Sequence, residues 1–212
     1  MYRDVRVCFE KKGMAVFISH LDLNRAIMRA LLRSKLNIWL SEGFNPHPKV
    51  VFAGPLSLGY EGQYELFDFK ADDDLDISQL NQLKDVMPPG ISIKEIYFPG
   101  TKFKEICFAE YKLNIDCDKD KAWVNKLFEC PVMVEKKTKR SQAVVDIREF
   151  IHKLDIKDIQ NGVEIETILD FSAAKMLSPS YIITALTDNG AAVDDSLIIR
   201  KGFLDCDFKE FK

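Results

Sequence analysis

The alternation of apolar and polar residues in Val5-Arg6-Val7-Cys8-Phe9 predicts a half-buried strand, Lys12-Gly13 offers a turn, and residues 15–18 (Ala-Val-Phe-Ile) predict a second strand. Ser19 then has the position of a helix N-cap, with Asp22 placed like the acid of a capping box and Ile18 and Leu23 like a hydrophobic staple. From His20 to about Lys35 the residues Leu23, Ile27, Ala30 and Leu31 recur at helical spacing. Apolar runs at 38–40 and 50–52 flank a turn-rich stretch, and residues 64–69 alternate again as a strand. Asp72, Asp73, Asp74 and Asp76 precede a helix expected over 77–86, favoured by acids at its N-terminus, and Pro88-Pro89-Gly90 stops it before a strand at 91–96.

After Pro99-Gly100-Thr101, the best boundary in the chain, the pattern predicts a strand at 107–113, a short helix at 119–128 and a strand at 132–135. A strand at 144–147 and a turn or short helix over 148–154 follow. Residues 163–169 alternate cleanly, Ser178-Pro179 opens a helix reaching about Thr187, and 196–201 close as a strand. Strands, helix, strand, strand, helix, strand is the order of a ferredoxin-like βαββαβ unit. The reading is therefore α+β with two antiparallel-sheet units, 1–99 and 100–212, each with helices on one face and the other face open to ligands or RNA.

At 212 residues and 47% hydrophobic content the chain carries enough apolar material for two cores. Its net charge of −3 argues against a global electrostatic clamp on nucleic acid and leaves local basic patches as the means of contact. No apolar run approaches the roughly 20 residues of a membrane span, so a cytoplasmic protein without membrane contact is expected. The five cysteines, Cys8, Cys107, Cys117, Cys130 and Cys206, are widely spaced and include no Cys-x-x-Cys pair. Reduced, packed thiols are expected, with no metal and no cofactor.

The most functional-looking stretch is residues 41–49, Ser-Glu-Gly-Phe-Asn-Pro-His-Pro-Lys. Two prolines stiffen the chain around a histidine, and Gly43 permits a turn that other residues resist. A stiff loop displaying Phe44, Asn45, His47 and Lys49 suits a polar or anionic ligand, and serves equally as a rigid connection between strands. Arg25, Arg29 and Arg33 share one helix face, an arrangement for phosphates along a strand or for plain solvation. Lys137, Lys139 and Arg140 form the densest basic patch, phosphate-binding or a charged hairpin tip. His20, in the first turn of its helix, and His47 are the candidates for acid–base work. No P-loop or G-x-G-x-x-G pattern supports nucleotide binding.

Phe17-Ile18-Ser19-His20-Leu21-Asp22, the 41–49 stretch and Pro55-Leu56-Ser57-Leu58-Gly59 together resemble the bacterial radical-SAM-linked protein family, an uncharacterised domain family; Val144-Val145-Asp146-Ile147 and Ile199-Arg200-Lys201 extend the resemblance over most of the chain. The resemblance implies association with a radical SAM protein. The chain has no Cys-x-x-x-Cys-x-x-Cys to hold a cluster, so it is expected to be the partner and not the catalyst. Members commonly occur near RNA-processing genes, which implies a non-catalytic RNA-binding or substrate-presenting role in tRNA or rRNA modification. In that role Arg25, Arg29, Arg33, Lys49, Lys137, Lys139 and Arg140 neutralise phosphates, Phe44 stacks on a base, and Asn45 and His47 read polar edges. The inferred architecture is also similar, at the level of fold alone, to the paired ferredoxin-like domains of CRISPR repeat-processing endoribonucleases. That similarity implies a metal-independent endoribonuclease using His20 or His47 as the alternative; a third reading is a protein-binding adaptor for a radical SAM enzyme.

Overall fold

The computed structural model describes residues 1–137 and 142–212, apart from the side chains of Lys137 and Gln142. The protein is mixed α+β, and its contacts divide it into a unit of Met1–Phe103 with Lys212 and a unit of Lys104–Phe211.

The first unit runs β1 (Tyr2–Lys11), α1 (His20–Arg33), β2 (Val51–Phe52), β3 (Glu61–Asp72), α2 (Ile77–Leu80) and β4 (Ile91–Tyr97). β1 pairs antiparallel with β3 on one side, Tyr2 opposite Asp72 and Val7 opposite Phe67, and with β4 on the other; β2 adds to β3 through Val51 opposite Asp68 and Phe52 opposite Phe67. The order is therefore β4-β1-β3-β2. Strand alternation sends Val5, Val7, Phe9, Phe67, Phe69 and Ala71 to one face, where they pack with Leu23, Ile27 and Leu31 of α1 and Leu80 of α2. Burying each such leucine or isoleucine is worth about 1.5–3 kcal/mol, so this shared layer holds α1 on the sheet.

The same alternation aims Tyr2, Asp4, Arg6, Asp68 and Lys70 at the helix-free face. Arg6 is fully buried there and grips Asp68 through two 2.8 Å bonds, Nε to Oδ1 and Nη2 to Oδ2. It also donates to the Thr101 hydroxyl at 2.9 Å and carbonyl at 3.0 Å, and lies 4.3 Å from the Phe103 ring centroid. Burial pushes the Asp68 carboxyl above its ordinary range, and Arg6 draws it back.

The predicted strand at 15–18 is instead a 3-10 turn, Gly13–Phe17, because Gly13 turns left-handed at φ +59° and the Ala15 amide bonds back to the Lys12 carbonyl at 3.3 Å. α1 stops at Arg33, where Lys35 at φ +58° leaves the helical region, and the helix expected over 77–86 is α-helical only to Leu80 and continues as the 3-10 segment Asn81–Val86. Ser19 caps α1 by accepting the Asp22 amide at 3.1 Å, while its hydroxyl donates to the Asp22 carboxylate at 2.7 Å. That hydroxyl, with Arg25 behind it, holds the Asp22 carboxyl below its usual range.

The second unit runs β5 (Phe108–Cys117), α3 (Lys121–Glu129), β6 (Met133–Lys137), β7 (Gln142–Asp146), β8 (Ile151–Ile159), β9 (Gly162–Asp170), α4 (Ser180–Asp188) and β10 (Val193–Leu204). Its sheet has the order β10-β5-β9-β8, all antiparallel, and β6 and β7 form a separate hairpin. Leu113, Ile115, Val163 and Ile165 of this sheet are buried, as are Val124 of α3 and Ile182 and Leu186 of α4. The turn or short helix expected over 148–154 is a 3-10 turn, Ile147–Phe150, followed by the whole of β8. Only Ile156 of β8 is buried, and His152, Lys153, Asp155, Lys157 and Asp158 are charged or polar, so this edge strand lacks the alternation that betrays a half-buried one. α4 begins one residue later than expected, and the Ser178 and Ser180 hydroxyls share a hydrogen bond of 2.8 Å.

The cysteines also depart from expectation. Cys107 and Cys206 form a disulfide across 99 residues, clipping the segment after β10 to the start of β5; Cys8, Cys117 and Cys130 are free. Two cysteines so far apart in sequence carry no spacing signal, and the antiparallel pairing of β5 with β10 brings them together.

Burial raises the Cys8 thiol to about 12, whereas Cys130 is exposed. Iodoacetamide at pH 8 should therefore modify Cys130 and spare Cys8 in the folded protein. In denaturant without reductant Cys8 joins it, and only added reductant opens Cys107 and Cys206; peptide mass spectrometry reads each step. Ser19→Ala should destabilise the first unit by about 1 kcal/mol and raise the Asp22 titration midpoint measured by NMR. Because the Asp22 carboxyl is lowered on folding, its contribution is present above the unfolded carboxyl range and is lost as pH falls through the folded value.

Candidate nucleic-acid interface

Residues 41–49 leave and rejoin the first unit at neighbouring points of one strand. Before the loop, the Asp72 amide donates to Asn37 at 2.9 Å, Ile38 bridges Ala71 and the Trp39 amide donates to the Lys70 carbonyl at 2.9 Å; after it, Val51 lies opposite Asp68 and the Ala53 amide donates to Leu66 at 3.0 Å. Leu40 bridges Pro48 across the loop base, and Ser41 N–H donates to the His47 carbonyl at 2.9 Å. The Ser41 hydroxyl accepts the His47 amide at 3.1 Å and lies 2.9 Å from His47 Nδ1, which is also 3.0 Å from the Asn45 carbonyl. A carbonyl only accepts, so the neutral ring carries its proton on Nδ1 and presents Nε2 as an acceptor. Gly43 turns at φ +115°, and Phe44 beyond it is fully exposed at 106%.

Pro48 is buried, Lys49 is exposed, and Lys49 has no ion-pair partner among the described residues. Lys49 and Lys70 both line two cavities on the helix-free face of this unit, each of about 360 Å³. One is completed by Tyr2 and Trp39. The other adds Asp4, Val51, Asp68, Thr101 and Lys102, with the buried Arg6 behind Asp68 and Thr101. Lys70 meets Asp4 only at 3.9 Å, a long surface pair worth little.

The arginine row does not join this surface. α1 turns Leu23, Ile27 and Leu31 to the sheet, so Arg25 and Arg29 point away from it into solvent, on the side opposite Lys49 and Lys70. Arg25 pairs with Asp22 at 3.2 Å and Arg33 donates to the Val86 carbonyl at 2.7 Å, whereas Arg29 has no partner among the described residues. His20 sits in the first turn of α1 with its ring edge-on to Phe52, centroids 4.8 Å apart. Lys139 and Arg140, and the side chain of Lys137, lie outside the described residues.

Three residues of this face escape a reading of the sequence: Tyr2, Trp39 and Lys70. Lys70 was legible in principle, since Phe67, Phe69 and Ala71 of the same strand mark the opposite face. Trp39 hides in an apolar run whose members go separate ways: Ile38 is buried, Trp39 half-buried and Leu40 exposed. In the second unit His152 was likewise missed: its Nε2 is 3.0 Å from Asp170, whose other oxygen holds Lys175 at 2.7 Å. No local motif links these positions.

Residues 4–179 match the profile of a bacterial family described as "Uncharacterized protein conserved in bacteria (DUF2344)". Among solved structures, one titled as a Cbf5-Nop10-Gar1 complex is similar at a TM-score of 0.50 and 11% identity, over 94% of this chain and 48% of that one, so the chain spans about half of its length. A protein of unknown role from Galdieria sulphuraria aligns over 94% of this chain and 99% of that one, at 10% identity and a TM-score of 0.30. No curated protein matches the sequence. At these identities the likeness to the first structure speaks for the fold alone.

Ser41→Ala removes the two contacts that the Ser41 hydroxyl makes to His47 and keeps the Ser41 N–H bond to the His47 carbonyl. It should speed amide hydrogen exchange at His47 and lower stability by about 1 kcal/mol, leaving exchange in β1 unchanged; equal acceleration in both would mean that the loop is not held by Ser41.

Proposed function

The chain belongs to this uncharacterised bacterial family, and from that premise we propose that it is a non-catalytic RNA-binding protein that presents substrate to a radical SAM enzyme modifying tRNA or rRNA. The motifs around His20 and in residues 41–49 support the radical SAM association. The observation that carries RNA binding is the 41–49 loop: it is tied internally before any ligand arrives, displays Phe44 and the Nε2 of His47, and ends in an exposed Lys49. Preorganisation of this kind lowers the entropy lost when a flexible strand is bound.

Both units read as ferredoxin-like, since β4-β1-β3-β2 and β10-β5-β9-β8 follow the same order of fourth, first, third and second strand. The β6–β7 hairpin is then an insertion in the second. In the first unit the helices take one face and leave the other, with Lys49 and Lys70, for the nucleic acid. Phosphate contact belongs on this face, ahead of the arginine row. For the acid–base alternative, His20 has its ring against Phe52, whereas the Nδ1 contact of His47 within its own loop leaves Nε2 as the atom that role would use.

One observation favours a second reading, a protein-docking adaptor: an aromatic ring as exposed as Phe44 serves a protein partner as well as a base. Filter binding of bacterial total tRNA across salt separates the readings. The expected result is that Lys49→Glu weakens binding at least several-fold and lowers the salt slope by about 1, while Arg29→Glu changes the slope little. Absence of tRNA retention, together with nuclease-resistant co-purification of a radical SAM protein that is lost in Phe44→Ala, would replace RNA binding by the adaptor reading. Cleavage of the tRNA that disappears in His47→Ala would replace both by the endoribonuclease.

A further inference from the structure

Among the concavities on the helix-free face of the first unit, one combines two aromatic rings with two ammonium groups. Tyr2, Trp39, Lys49 and Lys70 enclose about 360 Å³, within the range of small-molecule sites and large enough for a base and its sugar phosphate. Each wall has a reason to be where it is. Tyr2, opposite Asp72, and Lys70, opposite Asp4, share the helix-free face by strand alternation. Trp39 is fixed beside Lys70 by the hydrogen bond its backbone N–H donates to the Lys70 carbonyl, and Lys49 emerges two residues before Val51 pairs with Asp68.

We propose that this cavity binds one unpaired ribonucleotide of a single-stranded RNA, with the base on the Trp39 indole and the adjoining phosphate between Lys49 and Lys70. The assignment rests on the RNA-binding reading and adds to it the state of the RNA. Tryptophan and tyrosine supply flat, polarisable surface that any base can cover, and ammonium groups supply the charge a phosphate needs. A base in a duplex has both faces covered by its neighbours, so only an unstacked base can enter. The adjoining cavity shares both lysines and adds Asp4 and the Thr101 hydroxyl, acceptors suited to a 2′-hydroxyl or an exocyclic amine of the next nucleotide.

The chain has two tryptophans, Trp39 and Trp123, so Trp123→Phe leaves Trp39 as the sole indole reporter. In that background a single-stranded oligouridylate heptamer should quench Trp39 fluorescence on binding, whereas a blunt RNA duplex of equal length should not. In the parent sequence Trp39→Ala should weaken heptamer binding about 10- to 100-fold, with Trp39→Phe and Tyr2→Ala intermediate. Heptamer retained on filters without quenching of Trp39, or equal quenching by heptamer and duplex, overturns the nucleotide site and leaves RNA binding standing. Failure of the heptamer and of total tRNA alike to be retained overturns both. Should Trp39→Ala fail to fold, the quenching comparison and Trp39→Phe decide the question.

Discussion

The edge of β3 turned away from β1 is the constraint on which the candidate interface depends. Residues 37–39 pair with it at Lys70, Ala71 and Asp72, and residues 51–53 pair with it at Leu66, Phe67 and Asp68. The 41–49 loop is thereby closed over a few residues of one rigid strand, so its ends cannot drift apart. The loop needs only a few further bonds, Leu40 to Pro48 and Ser41 to His47, to hold one conformation. Because a strand sends successive side chains to opposite faces, the same register puts Phe52 and Ile38 into the core and leaves Val51, Trp39 and Lys49 on the helix-free side. A slip of one residue would exchange the two sets and put the interface in the core.

The buried ion pair beneath that face has a related part. Arg6 is wholly enclosed and would be costly if left alone, and its cost is met by Asp68, Thr101 and the ring of Phe103. Asp68 is one of the two β3 residues that receive β2, and Thr101 belongs to the segment after β4. The pair therefore fastens three parts of the first unit beside the cavity that Asp68 and Thr101 line. Its desolvated carboxylate resists ionisation and depends on Arg6 for it, so replacing Arg6 alone would leave an unpaired acid beside the ligand face.

Local structure was legible in the sequence wherever a short-range rule sufficed. The Ser19 cap and the Leu23, Ile27, Leu31 stripe are visible in four or five residues, and the structure keeps both. β9 alternates openly because one of its faces is buried and the other is not. β8 escaped because an edge strand needs no apolar face, and the strand at 15–18 was a wrong prediction because an apolar run is compatible with any element that packs. The Cys107–Cys206 disulfide was illegible for a different reason: it depends on a strand pairing across 99 residues, which spacing does not encode.

The candidate site divides along the same line. Phe44, Asn45, His47 and Lys49 stand in one nonapeptide and could be singled out from it. Tyr2, Trp39 and Lys70 become neighbours only after β1, β3 and the 37–39 segment are in register. The helical spacing of Arg25, Arg29 and Arg33 was read correctly, but a helix face acquires a direction only once its apolar stripe has a sheet to lie on. That sheet is the one carrying Lys49 and Lys70 on its far side, so the packing that makes α1 stable also separates the arginines from the loop. A basic residue's position in sequence is thus a poor guide to its electrostatic partners in this fold; the face of the sheet to which it belongs decides them.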